Sequence, residues 1–296
     1  MTIHRPLETS DYYRPMEITL HTPETIYSPR HLPSWFLLAG AAGFVNGFAF
    51  LECEQFVTHV TGTVTRAGLE WPHVGLAAEY VVVVVSFLAG AVASVIAIQA
   101  RARLGKRPRW GSPLLLVATI LLGVSVAGRA GVFGRFGGMH AADPPPVVLL
   151  SLLAFAMGLQ NAAVASTTGL AVRTTHLSGP TTDLGIHLGV ACLASGPERR
   201  SALRGAALRG GKVVAFMVGA GLAVPLTQAI GYFALLAPAS FILAAAGLSF
   251  VPDWSPSDFP FRAVNGFARA AGTWPRQPAS GEGRPAVNRA SPSPGT

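Results

Sequence analysis

The sequence predicts an all-α integral membrane protein of about six transmembrane helices, arranged as two inverted three-helix repeats. Half of the 296 residues are apolar and only 12% are charged, whereas a soluble domain averages about 25% charged residues. Long apolar runs recur along the chain, and one pattern of Asn, Thr, His and Gly occurs twice. We therefore expect a lipid bilayer around the protein and, in spite of the net charge of +8, no nucleic acid partner.

The apolar runs divide the chain into a predicted flexible N-terminal tail (1–34), a membrane domain (35–251) and a disordered C-terminal tail (252–296). The six predicted spans are 35–51, 77–99, 114–128, 147–166, 213–228 and 232–251. Five consecutive valines in the second span would favour a strand in water, but an apolar run of about 20 residues favours a membrane helix. The stretch 169–212 is interpreted as a polar and basic loop.

The distribution of basic residues predicts the orientation. With six spans and both termini on one side, that side carries 19 of the 22 Lys and Arg residues. The other side carries only Arg66, Arg129 and Arg135. Because basic residues accumulate on the cytoplasmic side of membrane proteins, we expect a multi-pass protein of the bacterial inner membrane with both termini in the cytoplasm.

The duplicated pattern defines repeat one (35–130) and repeat two (147–251), each with a predicted broken helix or re-entrant segment. The equivalent pairs are Gly43 and Gly158, Asn46 and Asn161, His59 and His176, Gly62 and Gly179, and Thr65 and Thr182. Three spans per repeat is an odd number, so the second repeat enters the membrane from the opposite side. Inverted repeats with broken helices are typical of secondary transporters, in which the substrate site lies at the repeat interface.

The polar residues of the two patterns form the candidate substrate site. They are Asn46, His59, Thr61, Gly62, Thr65, Gln160, Asn161, Thr175, His176, Ser178, Gly179, Thr182 and Asp183. The hydroxyls fit either of two roles, satisfying backbone groups where a helix breaks or binding a polar solute. The asparagines fit interhelical hydrogen bonding or a cavity wall. The histidines fit a structural role or proton coupling, and Asp183 fits a helix-end interaction.

The motifs of the second repeat resemble those of the YoaK-like family of bacterial inner-membrane proteins, which has no assigned function. The matching residues are Gly158, Gln160, Asn161, Ala162, Arg173, Thr174, Thr175, Ser178, Gly179 and Asp183. The first repeat departs from the family pattern, because Asn46 stands where the family has Asp and His59 stands where it has Asn. The resemblance implies the same membrane fold over about residues 35–251 and implies no chemistry.

Transport of a small polar or anionic solute, through a site at the two breaks, is the leading functional hypothesis. The alternative is a membrane scaffold or sensor whose polar breaks only support packing. We expect neither an enzyme nor a cofactor, because the chain has no HExxH or GxSxG motif and the sequence before Lys212 lacks the glycine frame of a P-loop. The two cysteines do not have the spacing of a metal site.

Overall fold

The structure is a computed structural model that describes residues 19–137 and 147–250. Over these residues the chain is helical and contains no strand, which confirms the all-α prediction. The helices are α1 (Pro23–Ile26), α2 (Leu32–Cys53), α3 (Val60–Leu69), α4 (Val74–Arg103), α5 (Ser112–Arg129), α6 (Val147–Thr167), α7 (Ser178–Leu193), α8 (Gly196–Ile230) and α9 (Leu236–Ser249). The predicted C-terminal tail lies outside the described residues.

Five stretches are long and apolar enough to cross a membrane: α2, α4, α5, α6 and the 54-residue stretch that contains α8 and α9. This composition is that of a multi-pass membrane protein. The valine run of the second predicted span is helical, because it lies inside the 30-residue helix α4. In lipid every backbone polar group needs a partner within the chain, and a helix supplies all of them.

The 54-residue stretch reverses direction in the middle. A 3-10 turn, Gly231–Leu235, joins α8 to α9, and Gly231 has the positive φ of 56° that a residue with a Cβ rarely adopts. The Tyr232 hydroxyl reaches Glu52 at the C-terminal end of α2, whereas the Ser249 hydroxyl reaches Ser34 at the N-terminal end of α2. Helix α9 therefore runs back along α2.

Two close helix crossings hold the bundle together. Gly43 of α2 lies directly against the carbonyl of Phe216 in α8, and Gly158 of α6 lies directly against the carbonyl of Phe87 in α4. A Cβ on either glycine would collide with that carbonyl. Small residues let helix backbones approach closely in membranes, where van der Waals packing has to provide most of the association energy.

The interpretation of 169–212 as a loop is wrong over most of its length. This stretch contains the whole of α7, and α8 begins at Gly196 instead of residue 213. Pro197 occupies the first turn of α8, a position that proline favours. The Ala, Leu and Arg residues that follow are good helix formers. Hydropathy locates the part of a helix that enters lipid and does not detect its polar extension.

The described part of the predicted N-terminal tail packs against the bundle. Backbone N–H groups of Leu20 and His21 both donate to the carbonyl of Thr167 at the end of α6. The indole of Trp35 donates to the carbonyl of Ile26 over 3.0 Å. Residues 19–31 are therefore fixed across the helix ends, and we call them the N-terminal strap.

Candidate functional site

The polar segments that follow α2 and α6 converge on one cavity of about 310 Å³. The first segment lies between Cys53 and Val60, and the second between Thr167 and Ser178. The cavity is lined by Asn46, Phe56, Thr58, His59, Thr175, His176, Leu177, Ser178 and Phe216. Residues far apart in the sequence, on both copies of the duplicated pattern, therefore share one site.

Asn46 fixes the first segment. Its side-chain oxygen accepts one hydrogen bond from the backbone N–H of Thr58 and a second from the Thr58 hydroxyl, each over 3.1 Å. Asn46 is 8% exposed and Thr58 is 6% exposed, so these bonds are shielded from water. Asn46 thus anchors a non-helical segment of the chain, where interhelical hydrogen bonding was expected, and it also lies in the cavity lining.

Asn161 and Gln160 fix the second segment through one residue. The side-chain oxygen of Asn161 accepts from the backbone N–H of Thr174 over 3.3 Å. The side-chain N–H groups of Gln160 donate to the Thr174 hydroxyl over 3.1 Å and to the carbonyl of Leu38 in α2 over 2.9 Å. Gln160 is completely buried. Neither residue lines the cavity, so both act on it through Thr174 and the backbone.

Lys212 of α8 also supports the second segment, although in the sequence it was considered only as part of a P-loop and set aside. Its ammonium group donates to the carbonyl of Arg173 over 3.1 Å, and the residue is only 3% exposed. A buried lysine is rare unless it is paired or hydrogen-bonded. The signal that would have identified it is a lone cation directly before an apolar run, on the helix that α7 packs against.

The two predicted histidines both reach the cavity, one from each segment. His59 directly precedes α3, and His176 lies two residues before α7. The His59 ring lies against Gly62, where a Cβ would collide with it. Gly62 therefore makes room for the histidine, and it lines a neighbouring cavity of about 250 Å³ that His59 also borders.

Several predicted residues lie on the two short helices and away from the cavity lining. The hydroxyl of Thr65 donates to the carbonyl of Thr61 over 2.9 Å, and that of Thr182 donates to the carbonyl of Ser178 over 3.1 Å. Each of these two hydroxyls is therefore paired with a backbone carbonyl one turn earlier in its own helix. Gly179 is exposed and also outside the lining.

Asp183 contacts the next helix. Its carboxylate accepts from the guanidinium of Arg209 over 3.2 Å, so that it ties α7 to α8. The corresponding contact in the first half joins α3 to α4, where the Arg66 guanidinium donates to the Tyr80 hydroxyl over 3.5 Å. Asp183 is half exposed, and an ion pair of this kind contributes about 0–1 kcal/mol.

The chemistry available at the cavity is hydrogen bonding by neutral groups. Its lining contains hydroxyls, one amide, two imidazoles and aromatic rings, and none of the lining residues is Lys, Arg, Asp or Glu. The Thr175 hydroxyl is buried and has no hydrogen-bond partner within the described residues. Buried hydroxyls in proteins are almost always paired, so Thr175 is a lining residue whose hydrogen-bonding capacity is unused.

The model of the family described as "Protein of unknown function (DUF1275)" matches residues 34–248. This match confirms the family resemblance carried by the sequence motifs, and it covers nearly the same residues as the predicted membrane domain. No curated protein and no solved structure matches the chain.

Proposed function

Since the chain belongs to the DUF1275 family, whose description assigns no activity, we propose from the site geometry that it is a secondary transporter or permease for a small polar or anionic solute. The single observation that carries this proposal is the shared cavity. Both copies of the duplicated pattern contribute side chains to it, as in transporters whose substrate site lies between inverted repeats.

Matching contacts in the two halves support a repeat of α2–α5 in α6–α9. The close approach of Gly43 to Phe216 is matched by that of Gly158 to Phe87. The hydroxyl bonds of Thr65 and Thr182 also correspond, because each crosses one turn at the start of its short helix. In the first half α2 packs on α8, and in the second half α6 packs on α4. Each half therefore packs against a helix of the other half.

The inverted arrangement follows from the number of membrane crossings. Helices α8 and α9 form two crossings because α9 runs back along α2, and together with α2, α4, α5 and α6 they make six. With three crossings per half, the second half has the opposite orientation to the first. The excess of Lys and Arg then assigns both termini to the cytoplasm.

The cavity lining favours solutes that form several hydrogen bonds. Hydroxyl and amide groups from both segments would replace the hydration of such a solute, while Phe56 and Phe216 would contact its apolar surface. Positive charge at the lining can come only from His59 and His176, when they are protonated.

The test is uptake into proteoliposomes containing the purified full-length chain, with a panel of labelled sugars, polyols, amino acids, nucleosides and carboxylates. Thr175→Val removes the unpartnered cavity hydroxyl and keeps the side-chain shape. A hydrogen bond of about 1.4 kcal/mol corresponds to a tenfold effect, so we expect about tenfold slower uptake at limiting solute. Thr119→Val is the matched control, because Thr119 lies on α5 and its hydroxyl bonds only to the carbonyl of Leu115.

Two results would overturn the proposal. One is that no solute of the panel is transported and none raises the unfolding temperature of the protein, although bound ligands stabilise the folded state. The other is equal uptake by the Thr175→Val and wild-type proteins. The first result would leave the polar segments a packing role alone, as the scaffold or sensor alternative requires, and the second would mean that uptake of the solute does not depend on the cavity hydroxyl.

A further inference from the structure

A carboxylic acid is buried at the end of the bundle where α2 ends. Glu52 is the penultimate residue of α2, and it is only 1% exposed. It lies one residue beyond the predicted span, it is not one of the positions matched between the repeats, and it does not line the cavity of the proposed solute site. Acidic side chains are almost never fully buried unless they are paired. The hydrogen bonds and charges around Glu52 therefore determine how its carboxyl group is stabilised in this buried position.

Each oxygen of the Glu52 carboxyl group has one hydrogen-bond donor. The Tyr232 hydroxyl donates to Oε1 over 2.5 Å, and the backbone N–H of Gly137 donates to Oε2 over 2.7 Å. The same Tyr232 hydroxyl lies 3.4 Å from the carbonyl oxygen of Phe133. Three parts of the chain meet here, namely the end of α2, the 3-10 turn between α8 and α9, and the segment that follows α5.

No cation neutralises this carboxyl group within the described residues. The titratable groups that face it are Tyr232 from the 3-10 turn and Cys53 on its own helix. Arg135, in the segment after α5, is exposed and makes no ion pair with Glu52. An ionised carboxylate without a cation is costly to bury in a membrane protein, whereas a protonated one costs much less.

We propose that Glu52 is a proton-binding site, in which Tyr232 changes from hydrogen-bond donor to acceptor when the proton binds. In the ionised state the Tyr232 hydroxyl donates to Oε1. A proton from the solvent forms an O–H bond at Oε1, this O–H donates to the Tyr232 oxygen, and the Tyr232 hydroxyl turns to the carbonyl of Phe133. The bond from Gly137 to Oε2 is kept in both states.

The Phe133 carbonyl makes this exchange possible. A tyrosine hydroxyl has one hydrogen to donate and lone pairs to accept with, so accepting from Glu52 requires a second acceptor for that hydrogen. Phe133 provides one in the same segment that carries Gly137. The bound proton therefore adds a hydrogen bond between the 3-10 turn and the segment after α5. The phenol ring is held for this exchange by Phe136, whose ring centroid lies 5.5 Å away.

Infrared spectroscopy of the full-length protein in nanodiscs tests the proposal, because a protonated carboxyl group has a carbonyl band separate from that of a carboxylate. We expect this band at pH 7 in the wild type and its loss in Glu52→Gln. Glutamine keeps an acceptor for Gly137 and a donor for Tyr232, so the fold is retained. Glu54→Gln is the matched control, because Glu54 lies two residues away and is exposed, and it should leave the band unchanged.

Tyr232→Phe provides a second and independent test. It removes the acceptor for the Glu52 proton, and we expect the band to persist and move to higher frequency. The proposal is overturned if the wild-type band is absent between pH 5 and pH 9, if it persists in Glu52→Gln, or if its frequency is unchanged in Tyr232→Phe. The result does not depend on solute transport, so this test and the uptake test fail separately.

Discussion

The side-chain oxygen of Asn46 satisfies two buried donors of Thr58, whereas that of Asn161 satisfies one donor of Thr174. The two asparagines are equivalent in the duplicated pattern, but they accept different numbers of hydrogen bonds. Asn161 shares the support of its segment with Gln160 and Lys212. The first segment therefore depends on a single side chain more than the second does.

We expect Asn46→Leu to destabilise the protein more than Asn161→Leu. Leucine has the same branching at Cγ as asparagine but accepts no hydrogen bond, and an unsatisfied buried N–H costs about 1–3 kcal/mol. The loss of the single 3.3 Å bond of Asn161 should cost about 1 kcal/mol. Thermal unfolding in detergent measures both, with Asn46→Asp as the control that keeps the acceptor oxygens. An equal or larger loss in Asn161→Leu would contradict this prediction.

His21 of the N-terminal strap is a second residue whose burial affects the stability of the folded protein. It is 4% exposed, its Nε2–H donates to the carbonyl of Ser249 over 3.0 Å, and its ring centroid lies 4.6 Å from that of His31. Burial, and then the charge of protonated His31, lowers the pKa of His21 from 6.5 to about 4. The folded protein therefore holds His21 in its neutral form.

The strap should consequently lose stability as the pH falls from 6.5 towards 4. In this window His21 is protonated in the detached or unfolded chain and resists protonation when folded, so that each step towards lower pH favours the unfolded state. The full effect is on the order of 3 kcal/mol. His21→Gln keeps a donor near the position of Nε2 and does not titrate. Its unfolding temperature should therefore fall less between pH 7 and pH 4 than that of the wild type, and parallel curves would contradict the assignment.

The sequence identified residues that have an equivalent in the other repeat. It did not identify residues that have no such equivalent. Asn46 and Asn161 were found because the pattern occurs twice. Lys212 and Glu52 have no repeat partner, and each lies at the edge of an apolar run, where it resembles an ordinary residue of a loop. Only the packing of α8 and of the 3-10 turn shows that both are buried. An ionisable residue close to a membrane span still deserves a functional hypothesis on its own.

Among the elements, the crossings of α2 with α8 and of α4 with α6 determine how closely the two halves approach. At each crossing a glycine on one helix meets a carbonyl of the other, and no flexible side chain is available to move aside. The apolar pattern predicts that these helices enter lipid, but it cannot predict which glycine meets which partner. That choice depends on the packing of the whole bundle.

Gly43→Ala and Gly158→Ala should each destabilise the protein, because the added Cβ forces the two backbones apart. Overpacking of this kind costs about 1–3 kcal/mol. Gly123→Ala in α5 and Gly221→Ala in α8 are the controls, since a Cβ at either position meets no atom within 4 Å. We expect the controls to unfold at or above the wild-type temperature. A comparable loss of stability in all four variants would indicate that the glycines contribute through helix flexibility and not through close packing at the crossings.

At the scale of the whole molecule, α8 and α9 together determine the topology. Helix α8, the 3-10 turn and α9 follow one another directly, and because the turn is itself apolar, length and composition alone do not separate the two helices. The glycine at residue 231 and the contacts of Tyr232 and Ser249 with opposite ends of α2 make the stretch two antiparallel helices. The sequence predicted this division from Gly231, but only contacts between distant residues establish the direction of α9.

The proposed topology of six crossings predicts that the connection between α3 and α4 lies on the outer side of the membrane and that between α4 and α5 in the cytoplasm, and cysteine labelling of intact cells tests this prediction. Cys53 is buried and should not react, so Trp71→Cys and Lys106→Cys are introduced at exposed positions of the two connections in a Cys192→Ala background. We expect an impermeant maleimide to label Trp71→Cys in intact cells and Lys106→Cys only after permeabilisation. The reverse pattern would invert the molecule, and labelling of both from outside would mean that α4 does not cross the membrane. Only the second outcome would remove the basis for two oppositely oriented halves around one cavity, because that arrangement requires α4 and α8 to cross in opposite directions.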